Sequence, residues 1–317
     1  MKSITIYIGT IACLAIFLQS CIKEDISGCP ANLFVMFSYD ESAEKNWSMD
    51  EWNKTTIFVF DENEHLISFW SPEEAPELNK KYAADFNLPA GKYNFVAWSN
   101  LSSPYLLLPD LERETYTKMP KTKAMVAMDI TSDSTVDETV MKLPLLLYGH
   151  NNAELEPLSN NLIVIPLTQN TNRLSITIAG LPRTDDQYRF TVVDNNNVYS
   201  FDNQIMPSNK FAYTVDAVYP ANSDELYAKI DILKLDANRS PALTVVNVTT
   251  NEQIFPTPYW TDNNIVSLIT SIYSSNDFSK KHNYDIRITI DPNNGENIQI
   301  SINGWALQIE PDINLTP

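Results

Sequence analysis

Along most of the chain, short runs of β-branched and aromatic residues alternate apolar with polar positions, and Asn, Asp or Pro bounds each run. A period of two sends successive side chains to opposite faces of an extended strand, which limits the chain to sheets that each carry an apolar face. In residues 33–39 (LFVMFSY) one face holds Leu33, Val35, Phe37 and Tyr39, and comparable runs stand at 55–61, 65–70, 82–88 and 92–99. Asp61, Glu62, Asn63 and Glu64 separate two of these runs as a hairpin turn, because Asn and Asp tolerate left-handed backbone; Pro89, Ala90 and Gly91 separate another pair. Runs at 123–130 and 140–148 complete a first unit, which the polar segment 149–161 closes.

The pattern repeats at 162–168, 173–179, 188–193, 198–201, 211–219, 226–235, 242–250, 284–290 and 298–302. One segment departs from it: Ile265, Leu268, Ile269 and Ile272 share a helical face behind Asp262 as N-cap, which predicts one short helix. Strands with a single apolar face bury it by packing sheet on sheet, about 10 Å apart. The expectation is an all-β chain of two tandem sandwiches, residues 31–155 and 156–317, with the helix in the second.

Composition narrows function. Seven glycines against 19 prolines leave little room for glycine-rich phosphate loops, and a formal net charge of -18 repels nucleic acid. His65, His150 and His282 are scattered, and no zinc, nucleophile-elbow or nucleotide-binding motif is present; no enzyme, cofactor, metal or nucleotide is expected. The turns at 194–197 and 291–296 carry oxygens whose spacing could hold calcium, yet they lack the full alternating ligand pattern and suit hairpins equally well. Trp47, Trp52, Trp70, Trp98, Trp260 and Trp305 are spread evenly, as core residues would be.

The start of the chain reads as an address. Lys2 precedes an apolar run over residues 4–18, and Leu18, Gln19, Ser20 and Cys21 follow at once. Residues 1–20 are read as a signal peptide whose end resembles a bacterial lipobox, cut after Ser20 so that Cys21 carries acyl chains such as palmitate; Gln19 is atypical there. Each buried methylene adds about 0.8 kcal/mol to membrane attachment, so several chains anchor a protein almost permanently. Residues 21–30 form a lipidated tether, and its stretch 22–26 (IKEDI) resembles the export signals of surface-exposed lipoproteins in Bacteroidetes. With Cys13 removed and Cys21 acylated, Cys29 has no partner within the chain. Asp133, Ser134 and Thr135 resemble an O-glycosylation acceptor of the same phylum.

Taken in order, CIKEDISGCP, FVMFSYD, TIFVFDENEHLIS, LPAGKYNFVAWSN, LPLLLYGH, VIPLTQNTNRLSITIAGLP and ISINGW make the chain similar to one family. It resembles the FimB-type fimbrial anchor family of Bacteroidetes over essentially its whole length, although Glu64 stands where such proteins commonly have glycine. The resemblance implies two transthyretin-like, Greek-key sandwiches, a lipid anchor in the outer membrane, surface exposure, and fimbrial subunits as partners. In such fimbriae a strand of one subunit pairs with the exposed edge of the next, and stalk subunits open a groove after cleavage at an arginine. The first arginine here is Arg113, so an arginine-directed cut could not free residues 33–39 alone. The expected role is to anchor a fimbria and terminate its assembly, with a tip or accessory adhesin as the alternative. Trp305, Ala306, Leu307, Gln308 and Ile309 are the candidate subunit contact, the other reading being that they complete the second sandwich.

Overall fold

The computed structural model describes residues 31–108, 119–129, 140–273, 277–291 and 293–307, and these are mostly strand. In chain order the first half supplies β1 (Asn32–Tyr39), β2 (Thr55–Phe60), β3 (Leu66–Trp70), β4 (Lys81–Ala84), β5 (Gly91–Ser99), β6 (Tyr105–Leu108), β7 (Met125–Met128), β8 (Val140–Met141), β9 (Leu147–Leu155) and β10 (Asn160–Gln169). Seven of these form one hydrogen-bonded sheet in the order β3-β2-β5-β9-β10-β1-β4.

That sheet folds on itself at β9. Strand β9 pairs with β5 from Gly91↔Leu155 to Trp98↔Tyr148, but with β10 only where Leu147, Tyr148 and Gly149 face Gln169, Thr168 and Leu167. Gly149 sits at the crease: a Cβ there would stand 2.7 Å from both Ile165 Cγ2 and the Pro166 carbonyl oxygen, so only glycine lets the strands cross so closely. The result is two layers, β3-β2-β5-β9 over β10-β1-β4. Between them Val35, Phe37, Ile57, Val59, Phe95, Leu147 and Ile165 are wholly buried. The Trp52 ring packs edge-on to Phe37 at 5.5 Å, and its indole N–H donates to Thr55 Oγ1 at 2.6 Å.

The second half contains β11 (Thr171–Ala179), β12 (Tyr188–Asp194), β13 (Val198–Ser200), β14 (Phe211–Ala217), β15 (Leu226–Leu233), β16 (Ala242–Asn247), β17 (Glu252–Phe255), the helix α1 (Ile265–Ile272), β18 (Asn283–Asp291), β19 (Asn294–Ile302) and β20 (Trp305–Ala306). It repeats the plan of the first. Strand β11, like β1, has an antiparallel neighbour on one side (β15, as β4) and a parallel one on the other (β18, as β10). The facing sheet, β14-β12-β16-β17, matches β3-β2-β5-β9. This shared order is the transthyretin-like sandwich arrangement. The second sandwich alone goes further, adding β19 and β20 beyond β18.

Strand pairing crosses between the halves. β6 and β7 form a three-stranded sheet with β13, and β8 pairs parallel to β15. Phe201 packs edge-on against Phe58 and Phe60, with centroids 4.9 and 5.8 Å away, so the apolar core runs without a break from the first sandwich into the second. One residue, Asn170, links β10 to β11; it is wholly buried and exchanges side-chain amide hydrogen bonds with Asn203 at 2.6 and 3.1 Å.

Several local expectations need correction. The run at 82–88 stops being strand at Ala84, although Phe86 and Leu88 remain buried. Residues 140–148 split between β8 and β9, and the polar segment 149–161 is strand through Leu155. The helix forms where its apolar face predicts, but its N-cap is Asn264, whose side chain accepts from the Val266 N–H at 3.0 Å. Asp262 instead accepts from the Asn264 N–H and the Ser267 hydroxyl. The tryptophans are not all core, since Trp305 is 67% exposed. The turn at Asp61 forms as expected, with Glu64 at φ 59 in the left-handed region and Asp61 Oδ1 accepting from the N–H groups of Asn63 and His65.

Candidate anchoring and assembly surfaces

The two sandwiches are joined by contacts between segments far apart in the chain. The β1–β2 loop reaches across to the segment preceding β18 and grips it through Glu44. One carboxylate oxygen accepts from the backbone N–H groups of His282 and Asn283 at 3.0 and 3.1 Å, while the other pairs with the Lys281 ammonium at 3.1 Å. The Glu44 N–H donates to the Lys280 carbonyl at 2.7 Å, and Asn46 donates to the His282 carbonyl at 3.2 Å. Burial opposes the charge on Glu44, but these donors outweigh it and hold the carboxyl below the usual range. Sequence gave no hint of this clasp, because its partners lie 238 residues apart and none belongs to a local motif.

His282 is wholly buried beside that clasp, with Nδ1 3.3 Å from Asn172 Oδ1 and Nε2 without a partner. Burial drops its pKa to about 4, against the opposing pull of Glu44. The folded ring is therefore neutral where an unfolded one would be charged, and unfolding takes up a proton between about pH 4 and 6.5. Stability is expected to fall as pH drops through that window, by up to about 3 kcal/mol from this residue. Denaturant titrations at pH 7 and 4.5 measure the drop. His282→Gln, which cannot titrate, should flatten it; an unchanged slope would assign the proton to another group.

The first described residues lie at one end of the first sandwich and the last along an edge of the second. Ala31 and Asn32 enter at the end of β1 remote from the joint, where the Ala31 N–H donates to the Leu88 carbonyl and the Asn32 N–H to Ser159. Of the candidate contact residues, Trp305 and Ala306 form β20 and pair with Ile302 and Ser301 of their own sheet. The Leu307 N–H donates to the Ile300 carbonyl at 2.8 Å, so the last described residues run away from the first sandwich along β19. The two-residue turn before β20 is built by Asn303 and Gly304 at φ 49 and 82. Trp305 projects into solvent at this free edge. Gln308 and Ile309 lie outside the described residues, as do Ser20, Cys21, Cys29 and Ser134.

The open edge of β10, which has no counterpart of β19 beside it, is blunted. Pro166 offers it no N–H, and the Asn151 amide donates to the Val164 carbonyl at 2.6 Å.

Most oxygens of the acidic turns meet protein donors, although Asp194 Oδ2 and Asn197 Oδ1 are buried without a hydrogen-bond partner. Asp194 is buried and paired with Arg239 at 3.1 Å, while Asn196 donates to the Lys234 carbonyl and accepts from the Tyr213 hydroxyl. In the other turn, Asp291 and Asn294 accept from the N–H groups of Asn293 and Glu296. Among the described residues, no group of three or more His, Cys, Asp or Glu side chains is placed to hold a metal ion. His65 lies 3.8 Å from Asp61, and His150 stacks on Tyr148 at the surface.

Comparison with known proteins agrees with this architecture. No curated protein matches the chain. Among solved structures, the fimbrial anchor protein Mfa2 from Porphyromonas gingivalis is 21% identical, with a TM-score of 0.67 over 88% of this chain and 99% of that one. A candidate adhesin from Bacteroides thetaiotaomicron is also 21% identical, with a TM-score of 0.68 over 89% of this chain and 98% of that one. A candidate polysaccharide-binding protein from the same species is 17% identical, with a TM-score of 0.67 over 89% and 99%. At these identities the likeness speaks for the fold. The model of the Fimbrillin-A associated anchor proteins Mfa1 and Mfa2 matches residues 26–310, and the chain belongs to that family of fimbrial anchor proteins.

Proposed function

We propose that this chain is an outer-membrane lipoprotein, lipidated at Cys21 after cleavage behind Ser20, that holds a fimbria at the cell surface and ends its assembly through strand contacts. The family match over residues 26–310 carries this reading. The lipobox-like sequence ending at Cys21 supplies the means of attachment, and residues 21–30 the tether. Entry at the far end of β1 and exit along β19 support a chain with a membrane end and an assembly end. The fixed position of β1 supports termination: it lies between β10 and β4, with Val35 and Phe37 wholly buried, and no arginine precedes Arg113 to mark it for removal. On the assembly side, the free edge of β20 with exposed Trp305 is the strand a subunit would meet first.

The second reading, a tip or accessory adhesin, draws on the adhesin described for the Bacteroides thetaiotaomicron neighbour. Immunogold labelling separates the two. Gold at the cell-proximal end of the filaments is the expected result, and gold at the distal end would replace the anchor with the adhesin.

A further inference from the structure

The turn joining β9 to β10 contains an anomaly. Leu158 stands there at φ 54, in the left-handed region where Asn and Gly are at ease and a bulky apolar residue is an outlier. It is also 64% exposed, and Leu162, four residues on, is 47% exposed on the outer face of β10, opposite Phe34 of β1. Neither the core nor the turn requires a leucine at 158.

The turn is held rigidly. Ser159 Oγ donates to the Glu156 carbonyl at 3.0 Å, the Glu156 N–H donates to Asn161 Oδ1 at 3.0 Å, and the Asn161 amide returns to the Glu156 carbonyl at 3.2 Å. The same turn receives the entering chain through the bond from the Asn32 N–H to the Ser159 carbonyl at 3.2 Å. Cys21 lies ten residues before Ala31, which limits its distance from this end of the sandwich to about 35 Å. Glu154 and Glu156 flank the tip and no lysine or arginine occurs between 154 and 162, so its chemistry is apolar rather than cationic.

We propose that Leu158, backed by Leu162, rests in the lipid surface to which the tether leads and fixes the tilt of the first sandwich on it. This rests on the lipid-anchor reading above. Being apolar, the contact should persist at high salt and should not need anionic lipid.

The test uses the full lipid-modified chain in phosphatidylcholine vesicles, on a Cys29→Ser background, with an environment-sensitive fluorophore at Leu158→Cys. The control position is Val248→Cys, in the exposed turn after β16 at the far end of the second sandwich. Flotation with the vesicles tests the anchor itself: protein that stays in solution overturns that reading and this inference together. In floating protein, the probe at 158 is expected to shift to the blue and to be quenched by spin-labelled lipid, while the probe at 248 stays aqueous. A floating protein with an aqueous probe at 158 overturns the inference and leaves the anchor standing, as does shielding that appears only when fimbrial subunits are added. Leu158→Asn suits the left-handed backbone, so it should melt no lower and still float, yet lower lipid quenching of a probe at Leu162→Cys at least threefold. Unchanged quenching there would refute a seating role for Leu158.

Discussion

Filaments from a strain carrying Cys21→Ser are expected to collect in the medium, at normal or increased length, while their subunits are made and exported as before. The size of the effect follows from the attachment. At about 0.8 kcal/mol per buried methylene, several acyl chains together contribute far more than any surface contact a folded domain can offer, so losing them shifts attachment by many orders of magnitude. The Leu158 contact could not compensate, because fully burying one leucine side chain is worth about 1.5–3 kcal/mol. Counting filaments in the culture supernatant and on washed cells gives the answer. Filaments kept on the cell as in the parent would show that residue 21 does not hold them.

The second large effect is on the joint. Phe201→Ala is expected to destabilise the protein by about 3–5 kcal/mol, the usual cost of emptying a buried aromatic site. Phe201 is 1% exposed and stacks edge-on with Phe58 and Phe60, and its ring centroid lies 6.4 Å from that of Trp98. It follows β13, the strand through which the second half pairs with β7. Cavity and lost contacts therefore fall where the core passes from one sandwich to the other, and unfolding should separate into two steps. Phe201→Leu, which refills most of the volume, should cost clearly less. Denaturant unfolding followed by tryptophan fluorescence measures both. A loss below about 1 kcal/mol for the alanine variant would mean that the halves do not depend on this contact.

Where a strand buries one face, sequence located it well. Leu33, Val35 and Phe37 announced β1, and Leu174, Ile176 and Ile178 announced β11, because alternate positions there meet a core. Strand β9 was hidden for the opposite reason. Its residues from His150 to Glu154 are all polar except Ala153, at the margin of the layer, so Asn151 and Asn152 resembled turn residues. Strand β6 escaped notice, whereas β8 and β13 fell within the runs at 140–148 and 198–201; what no local pattern encodes is a partner, here β15 for β8 and β7 for β13, each in the other half of the chain. The chain's character was legible where it is written in consecutive residues, as in the ordered phrases from FVMFSYD to ISINGW that place it in the anchor family. It was illegible where distant segments meet, as at Glu44 and His282, or where the signal is a backbone angle, as at Leu158.

The setting of β1 has a mechanical consequence. A pull on Asn32 directed along β1 would run across its hydrogen bonds: eight residue pairs tie the strand to β10 and four to β4. Such a ladder is loaded in shear, all rungs together, instead of being peeled open one rung at a time. On the anchor reading proposed above, drag on a filament would thus meet the first strand in the direction in which it is hardest to extract.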